Sequence, residues 1–184
     1  MVTSAGWTEH DHWQLRPATL DDVGGLHSLA CMPMVYRYLF DGIAPDRAVI
    51  ADRLAQAVAN QWKDGLGMWV LQCPYARCAG CVELRPYPAP RTAEITYLLE
   101  PCYWGQGLGT RMAWTAITYA FGSSKIGAVV AGADLPNVAS LSLMRRLGMR
   151  SYRNVKYPLG DGAEYVLRYD DAGPNPLPAL IPRI

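Results

Sequence analysis

Between Leu98 and Thr110 the chain reads Leu98-Leu99-Glu100-Pro101-Cys102-Tyr103-Trp104-Gly105-Gln106-Gly107-Leu108-Gly109-Thr110, with Gly105, Gly107 and Gly109 at alternate positions. Glycines so spaced expose consecutive backbone N–H groups and put no Cβ in the way of an anion. A helix beginning there adds the positive end of its dipole. The ligand suited to such a turn is a phosphate or pyrophosphate. A P-loop would need Gly-Lys followed by Ser or Thr, and Gly109-Thr110-Arg111 does not supply it. A dinucleotide-binding fingerprint needs a third glycine where Met112 stands. A glycine-rich turn without a ligand is the structural alternative.

The side chains that could move a proton lie on either side of this turn. Glu94, in Ala93-Glu94-Ile95-Thr96-Tyr97, opens a strand-like run, and alternation puts Glu94, Thr96 and Leu98 on one face of it. A carboxylate beside apolar Ile95 and Tyr97 is expected to have a raised pKa and to accept a proton directly or through water. A cross-strand partner on a polar face is its other reading. Further on, Asn137 heads an apolar stretch as a helix N-cap would, and Ser140 follows it by three residues. A helix serine can instead bond a backbone carbonyl. Asp41 and Asp46 could attract a cation, and surface solvation explains them equally well. Five cysteines are present, and Cys78-Ala79-Gly80-Cys81 has the spacing of half a zinc site with Cys73 nearby. No second ligand pair follows, and His10, His12 and His27 lie far upstream without H-x₃₋₅-H spacing, so no metal is expected.

The elements around these residues follow from periodicity. A first strand is expected over residues 12–17, then a helix from Thr19, which is broken at Pro33. Val49, Ile50, Leu54, Val58 and Trp62 repeat at helical spacing and predict a second helix over residues 45–62. Two β-like runs, 68–73 and 78–84, are joined through Pro74-Tyr75-Ala76-Arg77 as a hairpin. After a loop with Pro86, Pro88 and Pro90 come a strand over 93–99, a helix over 107–121, a buried strand over 126–131 and a helix over 137–147. A second hairpin, 149–156 and 164–169, turns at Gly160-Asp161-Gly162, and a Pro-rich tail ends the chain. The order is β-α-α-β-β-β-α-β-α-β-β without repeats, an α/β (α+β) arrangement.

The 184 residues suit one domain, expected over 1–170 with a tail over 171–184. Half the residues are hydrophobic and the formal net charge is +1, so the basic excess of a nucleic-acid binder is missing. No apolar run reaches the ~18–20 residues that span a bilayer, and residues 1–10 lack signal-peptide features. The expectation is a cytoplasmic protein with neither nucleic acid nor membrane as partner. The sequence is compatible with a homodimer.

The glycine turn resembles motif A of the GNAT superfamily: Arg or Gln, two residues, Gly, one residue, then Gly or Ala. Gly107 and Gly109 match the small positions, and Trp104 stands where Arg or Gln is usual. Tyr103-Trp104-Gly105-Gln106-Gly107 is typical of the RimJ/RimL-like branch, and Asn137 to Ser140 with Arg146-Leu147-Gly148-Met149 resembles its motif B. The segment Pro33 to Leu39 resembles the branch's stretch between the first two helices. The likeness spans roughly residues 12 to 170.

The resemblance implies a single domain built on a mixed, mostly antiparallel sheet of about seven strands. Helices would cover both faces, and the sheet would splay between the fourth and fifth strands. It also implies an N-acetyltransferase that moves the acetyl group of acetyl-CoA to a primary amine by direct attack in a ternary complex, with no metal. Backbone groups of Tyr97, Leu98 and Leu99 would pair with the pantetheine arm. Amides of Gly105, Gln106, Gly107, Leu108, Gly109 and Thr110 would hold the pyrophosphate, and Asn137 and Ser140 would contact the arm near the thioester. Glu94 matches a catalytic glutamate of the superfamily's histone acetyltransferases, and Ser140 the branch's proton-handling serine. The glutamate and tyrosine of RimI-type chemistry fall at Gly132 and Met144, which opposes that mechanism. Tyr152 and Tyr157, in the last hairpin, are the secondary candidates for an acid, with Glu164 as a partner. Tyr36, Tyr38, Phe40, Trp62 and residues 152–157 would wall the acceptor site. Peptide N-termini, polyamines, aminoglycosides and small amino acids are all compatible acceptors. The rival classes are a non-catalytic acyl-CoA sensor of the same fold and a nucleotide-binding oxidoreductase, the latter opposed by the missing third glycine.

Overall fold

A computed structural model describes residues 13–61, 64–123 and 125–173. Seven strands form one sheet: β1 (Gln14–Pro17), β2 (Gly67–Cys73), β3 (Ala76–Pro86), β4 (Thr92–Leu99), β5 (Ala128–Asp134), β6 (Arg150–Tyr157) and β7 (Gly160–Arg168). Their spatial order is β1-β2-β3-β4-β5-β7-β6. Every neighbouring pair is antiparallel except β4 and β5. That parallel pair is short, running through Thr92↔Ala128, Ala93↔Val129 and Glu94↔Val130. Beyond Glu94 the two strands diverge, as the family resemblance implies.

Helices cover both faces: α1 (Val23–Ala30), α2 (Pro33–Leu39) and α3 (Arg47–Ala59) precede β2, while α4 (Leu108–Gly122) and α5 (Val138–Arg146) flank β5 in sequence. Strand alternation sorts the core. Val82, Ile95 and Val129 pack with Met112 and Ile117 of α4 and Met144 of α5. On the other face Val70 and Cys81 pack with Leu26 and Ala30 of α1 and with Ile50 and Leu54 of α3. Burying each such side chain contributes about 1.5–3 kcal/mol. No described helix is long and apolar enough to cross a membrane.

Several boundaries differ from the sequence expectation. Pro33 does not only stop a helix. It opens α2 at its first turn, where a fixed φ and a missing N–H are no disadvantage, so the expected connection is itself a helix. α3 ends at Ala59, and Trp62, expected on its stripe, lies outside the described residues, as do His12 and residues 174–184. Both hairpins turn in two residues, Pro74-Tyr75 and Pro158-Leu159, with Cys73 opposite Ala76 and Tyr157 opposite Gly160. Gly160, Asp161 and Gly162 therefore belong to β7 and not to a turn. The first helix is anchored as its sequence suggests. The Thr19 amide donates to Asp22 at 2.9 Å, and Arg16 grips the same carboxylate at 2.5 and 2.7 Å.

Candidate active site

Gly105 and Gly107 adopt left-handed backbone angles, with φ of +76° and +77°. Those values favour glycine, and a Cβ on either would meet nothing within 4 Å, so the loop is an open concavity. Gly109 serves differently. A Cβ there would sit 3.0 Å from Leu143, so this glycine lets α4 approach α5 closely. The N–H groups of Leu108, Gly109 and Thr110 open α4 and have no partner inside the helix. The Trp104 indole donates to the Leu99 carbonyl at 2.7 Å, fastening the loop back to the end of β4. Gln106 lies outside the concave wall, and its side-chain amide donates to Cys102 at 3.2 Å.

From this loop a cavity of about 750 Å³ runs between the diverging strands to α2. That volume suits a bound small molecule. Leu98, Leu99, Asn137, Ser140 and Arg146 line its near part. Asn137 caps α5, its side-chain oxygen accepting from the Ser140 amide at 3.2 Å. The Ser140 hydroxyl does not turn back to its own helix. It meets the Tyr97 hydroxyl across the gap at 2.7 Å. Burial pushes the Tyr97 phenol up to about 12, so it stays protonated at neutral pH.

On the opposite face of β4 stands Glu94, three residues from Tyr97 and therefore directed to the other side of the sheet. Arg85, its register partner on β3, donates to both carboxylate oxygens at 2.9 and 3.0 Å. A carboxylate offers about four lone-pair sites, and the guanidinium takes two of them. Glu83 and Glu164 are treated in the same way. Arg53 donates to Glu83 at 2.7 Å, and Arg153 to Glu164 at 2.8 Å, with the Tyr87 hydroxyl also on Glu164 at 2.7 Å. Asp134, at the end of β5, is buried without such a cation, and burial, reinforced by nearby Asp41, raises its pKa.

Tyr157 reaches into this face from β6. A Cβ on Gly132 would run into its hydroxyl, and one on Gly162 into its ring. The expected RimI-type glutamate position is thus filled by a tyrosine from another strand. Burial pushes the Tyr157 phenol up to about 12, with Glu164, Glu94 and Asp134 adding to the shift. Gly162→Ala, whose Cβ would also press on the Ala133 carbonyl, should therefore displace Tyr157 and destabilise the fold by roughly 1–3 kcal/mol, read as a lowered denaturation midpoint. An unchanged midpoint would show that the ring has room to move.

The residues singled out in the sequence converge here. Glu94, Tyr97, Leu98, Leu99, Gly105, Gly107, Leu108, Gly109, Thr110, Asn137 and Ser140 all line one cavity, joined by Tyr38, Asp41 and Tyr157. Tyr36 and Asp46 are not among its lining residues, Phe40 packs against the core beneath α1 and α3, and Tyr152 is exposed. Sequence reasoning missed Arg85 as the clamp on Glu94, Tyr97 as the partner of Ser140, and Asp134. For Asp134 the only signal was an acid closing an apolar strand. Among the described residues no three His, Cys, Asp or Glu side chains gather as a metal site. Burial holds the Cys78 thiol up at about 11.

Comparison with known proteins places this geometry. Residues 13–150 match the acetyltransferase (GNAT) domain family. Spermidine N(1)-acetyltransferase of Escherichia coli strain K12 is 28% identical over 136 residues, covering 73% of this chain and 71% of that protein. The RimL ribosomal L7/L12 α-N-protein acetyltransferase in complex with coenzyme A superposes with a TM-score of 0.72 at 19% identity, over 88% of this chain and 96% of that one. An aminoglycoside acetyltransferase in complex with coenzyme A gives a TM-score of 0.71 at 15% identity, over 86% and 96%. The family match covers the glycine loop, the splayed strands and α5 together, and the chain belongs to the GNAT acetyltransferases as an N-acetyltransferase.

Proposed function

We propose that the protein transfers the acetyl group of acetyl-CoA to the primary amine of a small molecule or peptide, by direct attack in a ternary complex. One observation carries this reading. The gap between β4 and β5 has Glu94 on one face and the bonded Tyr97–Ser140 hydroxyls on the other. The pyrophosphate lies on the amides of Gly105 to Thr110, and Arg146 adds positive charge on that side. The pantetheine arm fills the gap along Tyr97, Leu98 and Leu99, with Asn137 beside it. The Leu99 carbonyl is already held by Trp104, which leaves the arm the other main-chain groups of β4.

In this arrangement the amine enters from the α2 side and loses its proton to Glu94, directly or through water. Its nitrogen attacks the thioester carbonyl, the tetrahedral intermediate collapses, and the carbon–sulfur bond breaks. The proton that the attacking nitrogen still carries is relayed through the Tyr97–Ser140 hydroxyls to the departing thiolate, so that both hydroxyls end neutral and coenzyme leaves as the free thiol. Holding both reactants in one cavity supplies much of the rate enhancement. Curated and structural relatives named for spermidine, a ribosomal protein N-terminus and aminoglycosides support an amine acceptor without choosing among them. The test follows thiol release from acetyl-CoA across a panel of amines and peptides. Acetylated product with at least one amine is expected. Tight coenzyme binding with no transfer to any member would make the protein a sensor instead.

A further inference from the structure

Among the described residues four carboxylates are buried: Asp22, Glu83, Asp134 and Glu164. Arg16 pairs with Asp22, Arg53 with Glu83 and Arg153 with Glu164. Asp134 has no cation, and its Oδ1 accepts no hydrogen bond, although the residue is 6% exposed. A buried ionised carboxylate without partners is strongly disfavoured, and native folds supply it with a cation or a donor. Oδ1 itself is closed to solvent, but the residue borders the cavity, and a cation that enters there meets a carboxylate with no cation of its own. Asp41, set by a left-handed backbone angle of +53° in the turn after α2, lines the same cavity and acts electrostatically on Asp134. The Tyr38 hydroxyl reaches the Pro136 carbonyl at 3.4 Å and holds α2 against the loop that follows Asp134.

Position along the sheet says which cation belongs there. Glu94 is level with Val130, and Asp134 lies four residues further along β5 on the same face. At the rise of an extended strand that is roughly 13 Å. A group held at Asp134 is therefore not the one whose proton Glu94 takes. Tyr157, whose hydroxyl lies against Gly132, stays neutral, and the cations on this face, Arg85 and Arg153, are already held by Glu94 and Glu164. We propose that Asp134, with Asp41 across the cavity, binds a second ammonium group of the acceptor, so that the acceptor is a linear di- or polyamine. This rests on the acetyl-transfer reading above and narrows its acceptor.

The experiment compares spermidine, 1,4-diaminobutane and n-butylamine with the full chain and acetyl-CoA, for the wild type and for Asp134→Asn, which keeps the side chain's shape. Spermidine should be the preferred acceptor. In Asp134→Asn its KM should rise about ten- to hundredfold, the loss expected for one charged hydrogen bond, with kcat little changed. The KM for n-butylamine, which has no second ammonium, should not move. Equal use of spermidine and n-butylamine by the wild type would overturn the inference while leaving acetyl transfer intact. An unchanged spermidine KM in the variant, or a preference for neutral-side-chain peptides, would do the same. Calorimetric titration of spermidine onto the CoA complex reads the subsite without turnover. Binding weakened in Asp134→Asn supports the proposal, and equal binding in both proteins overturns it even if no amine is acetylated.

Discussion

Glu94→Gln is expected to cut turnover by about 10²–10⁴-fold at pH 7, the usual worth of a general base, while acetyl-CoA affinity stays nearly constant. An amine acceptor is protonated up to pH ~10 and must lose a proton before its nitrogen can attack. Glutamine keeps the size of the side chain and can still accept from Arg85, but it cannot take that proton. The fold should tolerate the change. The Arg85–Glu94 pair is 43% and 30% exposed at its two side chains, and ion pairs so open to water contribute about 0–1 kcal/mol. The deficit should narrow as pH rises toward the acceptor's own pKa, since more of the amine then arrives neutral. Steady-state rates from pH 6 to pH 10, for both proteins, provide the measurement. Wild-type turnover at pH 7 would remove Glu94 from the mechanism and leave the Tyr97–Ser140 pair and positioning to account for catalysis.

Gly107→Val should weaken acetyl-CoA binding on the order of a hundredfold or more. The isopropyl group would fill the concavity proposed to receive the pyrophosphate and would deny it several charge-assisted N–H contacts. A second effect acts on the fold, because a β-branched residue at a φ of +77° is strained by about 1–3 kcal/mol. The two effects are separable. Gly148 has a φ of +76°, meets nothing within 4 Å and does not line the cavity. Gly148→Val should show a comparable loss of stability and undiminished coenzyme affinity by titration calorimetry. If Gly107→Val binds coenzyme as the wild type does, the pyrophosphate lies elsewhere.

Much of this site is readable from the chain because its parts are local. The glycine turn declares itself within a dozen residues, since glycine takes the left-handed angles at Gly105 and Gly107 more readily than any other residue. Alternation in β4 is equally local, and it directs Glu94 and Tyr97 to opposite faces. The partners of those residues are not local. Ser140 is 43 positions from Tyr97, and a hydroxyl pair at that separation depends on how far β4 and β5 diverge. Arg85 becomes the partner of Glu94 only once the hairpin register is fixed. That register is set by the length of the loop through Pro88 and Pro90, which periodicity does not measure. α2 was hidden because seven residues are too few for a hydrophobic repeat, and Pro33 reads equally as a stop or a start. Asp134 resembles any acid that ends a strand. Its significance lies in the absence of an arginine, and that is visible only after every other buried carboxylate has found one.

The brevity of the β4–β5 pairing also bears on how the molecule breathes. Three residue pairs join a leaf of β1 to β4 to a leaf of β5, β7 and β6, so the sheet is nearly divided along its middle. A seam of that kind is where partial unfolding begins, and those amides of Ile95 to Leu99 and Ala131 to Asp134 that point into the gap, and not at β3 or β7, should exchange with solvent deuterium early in the empty protein. A coenzyme arm laid along the seam, as proposed above, would serve as a removable eighth strand. At a concentration a hundred times its dissociation constant, a ligand selective for the folded state adds about 2.7 kcal/mol to global stability. The slowing of exchange should be greatest on the two facing edges, so that the nucleotide's departure, more than heat or denaturant, sets how often the leaves part.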